Sequence, residues 1–143
     1  METSTSLFWK RYKAAPIIGI IRGQSLDAVL KIAKAFEEAG LTTLEVTMNT
    51  PEAVSMISIL RNKFPSLNIG AGTVCNLTDL REAIDAGAGV SKTNIKSFFQ
   101  AGAYGVGMGS SLIDSKLVEA GDFEGLKNHF ESLKSEIKEF IIG

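Results

Sequence analysis

Residues 16–47, PIIGIIRGQSLDAVLKIAKAFEEAGLTTLEVT, decide the fold. PIIGIIRG is bounded by Pro and Gly, and its continuous β-branched run is too short for a buried helix, so it is predicted as a buried strand. Ser25 or Gln24 then starts an amphipathic helix through LDAVLKIAKAFEEAG, where Leu26, Val29, Leu30, Ala33 and Phe36 recur at helical spacing and Gly40 is the stop. LTTLEVT follows as a second strand. Strand, helix and strand in this order make the βαβ unit of a parallel sheet.

The same pattern extends in both directions. Upstream, a short helix is predicted from about Ser6 to Ala14, capped by Ser4, Thr5 or Ser6, with Leu7, Phe8, Trp9 and Tyr12 as its apolar face and Pro16 as its end. Downstream, Thr50 and Pro51 supply a cap and first turn for the helix PEAVSMISILRNKF, which Pro65 closes. SLNIGAGTV is a third strand, and Asn76 or Thr78 caps the helix LTDLREAIDAG. Strands begin about 25 residues apart, as βα units require. Then the rhythm breaks: after Ala88 only Gly89 and Val90 precede the helix SKTNIKSFFQAG, so a strand is missing. It resumes with a fourth strand, AYGVGMG, then SSLIDSKLVEAGD and a last amphipathic helix, FEGLKNHFESLKSEIKEFI. About four parallel strands suit part of a barrel or a doubly wound sheet, because a filled barrel needs about eight.

Composition limits what such a chain does. Its 143 residues carry 15 Lys and Arg against 16 Asp and Glu, a net charge of -1, which argues against nucleic acid or an anionic membrane as partner. The length fits a single domain over 1–143. One Cys and one His are too few for a disulfide or a zinc cluster, and a reducing cytoplasm fits. The opening METSTSLFWKRYKAAP lacks the apolar core of a secretory signal, and no run is long enough to span a membrane. The 14 glycines fall singly at the edges of periodic segments and act as punctuation.

Parallel α/β sheets bind ligands at the C-terminal ends of their strands, which here are Arg22, Glu45 to Thr50, Gly72 with Thr73, and Gly107 to Ser111. Glu45 alternates with Leu44 and Val46 on a strand expected to be buried on both faces. Burial would raise its pKa and suit it to proton exchange near neutrality; the other reading is a structural carboxylate satisfied by backbone or water. Arg22 could hold a carboxylate bidentately, or stand in water or pair with Glu45. Thr73 could donate to a carboxylate or carbonyl, or simply belong to a Gly-rich turn. GVGMGSS joins a strand to a helix start with exposed backbone N–H groups and two hydroxyls, a composition that favours phosphate over a dinucleotide, whose glycine spacing it lacks. His129 reads as a surface or boundary residue and Cys75 as a small buried one.

The motifs IIGIIRG, EAGLTTLEVTMNTPEA, IGAGTV, GVSKTN and AGAYGVGMGSSL together resemble the 2-keto-3-deoxy-6-phosphogluconate (KDPG) and 4-hydroxy-2-oxoglutarate (KHG) aldolases. The resemblance implies a (β/α)8 barrel, usually trimeric. Such an enzyme splits a 2-keto acid into pyruvate and glyceraldehyde 3-phosphate or glyoxylate through a lysine Schiff base, with no metal and no cofactor. It makes Glu45 the general acid/base and gives the pyruvyl carboxylate to Arg22 and Thr73. Asn49 stands where some members carry an Arg, and Gly89, Gly109 and Ser110 would hold the phosphate.

One departure dominates. The family has four further strands between the segments matching LREAIDAGA and GVSKTN, and one of them carries the Schiff-base lysine. This chain has none of them, and the break near 88–90 falls at that omission. The chain's own lysines fall in helices or the N-terminal segment, where an amine stays solvated; Lys92 and Lys96 belong to the SKTNIK helix. The expectation is therefore a shortened TIM-type barrel of about four parallel β/α units plus an N-terminal helix, without aldolase activity. The alternative role is binding of pyruvate or a small phosphorylated keto acid, or pairing with a full-length homologue. In an intact barrel AYGVGMG would lie beside the first strand, so the arc would run fourth, first, second, third. Its two open edges favour a homo-oligomer, in which two arcs could complete an eight-stranded ring.

Overall fold

The computed structural model describes residues 3–47, 50–72, 92–93, 95–100 and 106–141. Several expectations fall outside them: the helix expected at 77–87, the break at 88–90, and Asn49, Thr73, Cys75 and Gly89.

Helix α1 (Ser4–Ala14) begins earlier than its sequence suggests because Thr3, rather than Ser4, Thr5 or Ser6, is the cap, its Oγ1 accepting from Ser6 N at 3.1 Å. Strand β1 (Ile17–Ile21) leads to α2 (Leu26–Glu38), where Ser25 Oγ accepts from Ala28 N. Gly40 ends that helix with φ +79°, a left-handed conformation that costs glycine little. Strand β2 (Thr43–Thr47), α3 (Ala53–Lys63) and β3 (Asn68–Gly72) follow. Next come α4 (Ile95–Gln100), β4 (Val106–Met108), α5 (Ser115–Glu119) and α6 (Phe123–Glu136).

Three boundaries differ from expectation, each for a local reason. Helix α3 starts at Ala53, with Pro51 and Glu52 in a turn, and Glu52 is left-handed at φ 59°. The expected cap Thr50 is engaged elsewhere: its backbone N–H donates to Thr47 O and its hydroxyl faces β1. The last helix stops at Glu136, because fully buried Ile137 leaves helical geometry and a 3-10 turn, Lys138–Phe140, takes over. Lys92 sits in a turn before α4 rather than within that helix.

All four strands are parallel, in the order β3-β2-β1-β4. The alternation of a strand gives the sheet two different faces. Ile17, Ile21, Leu44, Val46 and Met108 point to the helices and are buried. Between them Gly19 has no side chain because none fits: a Cβ would lie 2.8 Å from Leu44 Cδ2 and 2.9 Å from Phe36 Cε2. Helix α2 packs on α6 there, with the Phe36 and Phe130 rings edge to face at 5.4 Å and 78°. The opposite, inner face carries Ile18, Ile20, Thr43, Glu45, Thr47, Gly70 and Gly107. Ile18, Ile20 and Glu45 are only partly covered, and Gly70 and Gly107 are exposed. The expectation that β2 is buried on both faces therefore fails at Glu45, since an arc leaves uncovered what a closed barrel would enclose.

Among the described residues no helix is long and apolar enough to cross a membrane.

Candidate functional site

The inner face is layered by strand register. Ile20, Glu45 and Gly70 stand side by side on β1, β2 and β3. Because Gly70 has no side chain and a Cβ there would meet nothing within 4 Å, open space lies beside Glu45. The Glu45 carboxylate is thus half-buried with room for a ligand next to it.

One layer nearer the C-terminal end of the sheet, Thr47 is 1% exposed. Its Oγ1 lies 3.1 Å from Thr50 Oγ1, and the Gly23 N–H donates to that same Thr50 oxygen at 3.0 Å. Gly23 takes φ +65°, so the chain turns sharply as it leaves β1. Thr50 therefore ties the exit of β1 to the exit of β2, and Arg22 occupies the residue just before that tie. Its side chain is exposed, and among the described residues it forms no ion pair with Glu45. Thr50, 3% exposed, is a positioning residue that sequence reading mistook for a helix cap. Its contact with Gly23 spans 27 residues and leaves no periodic signature.

On the other flank β4 ends in a turn. Gly109 is open to space on its Cα, and its carbonyl accepts from both Leu112 N and Ile113 N, at 3.0 and 2.9 Å. Ser110 is exposed. The strand does not run straight into a helix as expected: α5 begins only at Ser115, and its N-terminal N–H of Lys116 is taken by Asp114 Oδ1 at 2.9 Å. Any anion here would have to use the turn at Gly109–Ser110. That turn is anchored by His129, whose Nε2 donates to Ser111 O at 2.7 Å from α6. His129 is thus a half-buried boundary residue that holds the loop after β4.

Every lysine of the chain lies in the described residues, and each sits in a helix or a turn rather than a strand. Lys96 pairs with Glu139 at 2.9 Å, Lys31 with Asp27 at 3.1 Å, and Lys134 Nζ donates to Gly40 O at 3.2 Å. Gly40 precedes β2, so Lys134 is held at the end of the sheet opposite Arg22 and Gly109. Among the described residues no group of His, Cys, Asp and Glu is placed to hold a metal ion.

Known proteins resemble this arrangement in sequence and in fold. The chain is 37% identical to the KHG/KDPG aldolase of Escherichia coli (strain K12) over 73 residues, 51% of this chain and 34% of that protein. It is 36% identical to the 2-dehydro-3-deoxy-phosphogluconate aldolase of Dickeya dadantii over 75 residues, 52% of this chain and 35% of that protein. The matched stretch thus spans about a third of these relatives' length. Among solved structures, a native KDPG aldolase superposes with TM-score 0.69 at 18% identity, covering 88% of this chain and 96% of that one. The Legionella pneumophila KDPG aldolase, captured with pyruvate as a covalent carbinolamine, superposes at 0.66 with 17% identity, covering 90% and 96%. At these identities the superpositions speak for a TIM-type fold only. The sequence speaks for more: the profile of the KDPG and KHG aldolases matches residues 9–90, more than half of the chain, and the chain belongs to that family.

Proposed function

We propose that this chain is a keto-acid-binding member of the family that does not form the Schiff base by itself. One observation carries the reading. Arg22 and Gly109–Ser110 follow the C-terminal ends of β1 and β4, Glu45 lies one layer below the end of the adjacent β2, and every lysine lies in a helix or a turn. A Schiff base requires an unprotonated amine within bonding reach of the keto carbon, which it attacks with loss of water. An amine carried on a helix or in a turn is not presented from a strand to a carbonyl held at the strand ends. The profile match ends at residue 90, beside the break in strand rhythm, which supports an omission there.

The retained groups suit binding. The Arg22 guanidinium can donate two parallel hydrogen bonds to a pyruvyl carboxylate. Glu45, beside the space left by Gly70, can share a proton with the ligand's oxygen. The turn at Gly109 and Ser110 can offer backbone N–H groups to a phosphate. Thr73, Asn49 and Gly89 would complete the carboxylate and phosphate contacts as the family resemblance implies.

Borohydride reduction in the presence of pyruvate, followed by intact-mass measurement, tests the first half of the reading. The expected result is unmodified protein; a stable pyruvyl adduct overturns it. Calorimetry with pyruvate and with inorganic phosphate tests the second. Saturable pyruvate binding should weaken by about 10- to 100-fold in Arg22→Ala, the value of a charge-assisted pair. Silence toward both ligands overturns the binding role.

A further inference from the structure

Among the described residues the sheet ends at β3 on one side and at β4 on the other. In a parallel ladder alternate residues bond to alternate neighbours. Asn68 N donates to Thr42 O, so residues 68, 70 and 72 bond toward β2, and the backbone groups of Ile69 and Ala71 point to the open edge. Likewise Val106 N donates to Pro16 O, which turns the N–H and C=O of Gly107 outward from β4. Among the described residues no strand pairs with either edge. Unpaired edges of this kind seek a partner.

Exposed apolar residues at the β3 edge point the same way. There Ala71 is exposed and Ile69 half-covered, and α1 presents Phe8 at 39% and Trp9 at 50% exposure. An open cavity of about 420 Å³ separates α1 from β3, lined by Phe8, Arg61, Leu67 and Ile69 among others. On the inner face Ile18 and Ile20 are only partly covered.

We infer that two copies of this chain close into one eight-stranded ring, β3 of each pairing in parallel with β4 of the other about a two-fold axis along the barrel. Four strands are half of the eight whose interior is just filled by side chains, and the strand order places a different, unpaired edge at each end of the arc. A two-fold operation brings those unlike edges together twice and leaves none free. Closure also brings the C-terminal end of β3 of one copy beside the turn after β4 of the other, so the mouth of the ring holds two sites, each shared between copies.

Light scattering coupled to size exclusion, with no ligand added, tests this independently of keto-acid binding. The wild type should run as a dimer at micromolar concentration; a monomer overturns the inference, including the case in which a full-length homologue supplies the missing wall. Ala71→Pro and Gly107→Pro each remove an outward N–H, and each should give a folded monomer by circular dichroism. Mixed together they should recover dimer, because the intact β4 edge of the first still meets the intact β3 edge of the second. Dimers that persist in either single variant overturn it. Hydrogen exchange on the wild type covers the case of variants that fail to fold: the amides of Ile69, Ala71 and Gly107 should exchange more slowly as concentration rises, and rates independent of concentration overturn it.

Discussion

Gly19→Ala is the sharpest probe of how the sheet meets its helices. The added Cβ would stand 2.8 Å from Leu44 Cδ2, 2.9 Å from Phe36 Cε2 and 3.2 Å from Leu112 Cδ2. Carbon atoms attract best at about 3.5–4.0 Å, so all three contacts are repulsive. None of the three side chains can retreat into solvent, since each is 0% exposed. Overpacking of this kind costs about 1–3 kcal/mol. With an unfolding entropy of about 2.1 cal/mol/K per residue, this chain has about 0.3 kcal/mol/K, so Tm should fall by about 3–10 °C. Calorimetry at one fixed protein concentration measures it, because association shifts Tm by mass action. Leu44→Ala should offset the crowding, so the double variant should be more stable than the summed single costs by about 1 kcal/mol. A Gly19→Ala protein within about 1 °C of wild type, or strictly additive costs, would refute the packing described around β1.

Two further outcomes follow from the same geometry. Thr50→Val keeps the side-chain shape but removes the acceptor of the Gly23 N–H, so denaturant unfolding should show a loss of about 1 kcal/mol, and pyruvate should bind more weakly although Arg22 is untouched; Thr50→Ser should restore both. Burial in the Phe8–Trp9–Tyr12 cluster holds the Tyr12 phenol above its ordinary value of 10.0. The unfolded chain then ionises first as pH rises, so the stability tied to Tyr12 is complete below pH 10 and is lost as pH climbs through the folded value. Unfolding free energies measured across that alkaline range should fall more steeply for wild type than for Tyr12→Phe.

What could be read from the sequence was local or carried by motif. Val29, Ala33 and Phe36 recur with helical period and all are buried in α2, and IIGII and TLEVT became adjacent parallel strands. The placement of AYGVGMG beside the first strand came from the family motifs rather than from periodicity, and the sheet order agrees with it. The misreadings share one cause: they depend on partners distant in sequence. Thr50 has the composition of a helix cap, but Gly23, 27 residues earlier, claims its hydroxyl. His129 is the boundary residue it was expected to be, although nothing local reveals that it holds Ser111 O, 18 residues away. Glu45 was expected to be buried because a strand in a closed barrel is covered on both faces; its true exposure is set by how many strands complete the wall, which no local pattern encodes.

The four described strands form an arc in which every strand has at least one ladder partner. Here β1 keeps two, β2 and β4, and the core of Phe36, Leu44, Leu112 and Phe130 is built around it. The helix side of the sheet is therefore self-sufficient, which is why Gly19 is so tightly packed. The inner side is different, because Ile18, Ile20 and Glu45 are only partly covered among the described residues. A chain with one finished face and one unfinished face is driven by exposed apolar surface to complete the second. Of the proposed ligand groups, Arg22 and Gly109 lie at the rim of that unfinished side and Glu45 one layer below it. Association and ligand binding then draw on the same surface, so closure of the ring should raise keto-acid affinity, and a monomer locked by Ala71→Pro should bind pyruvate less tightly than the wild-type dimer.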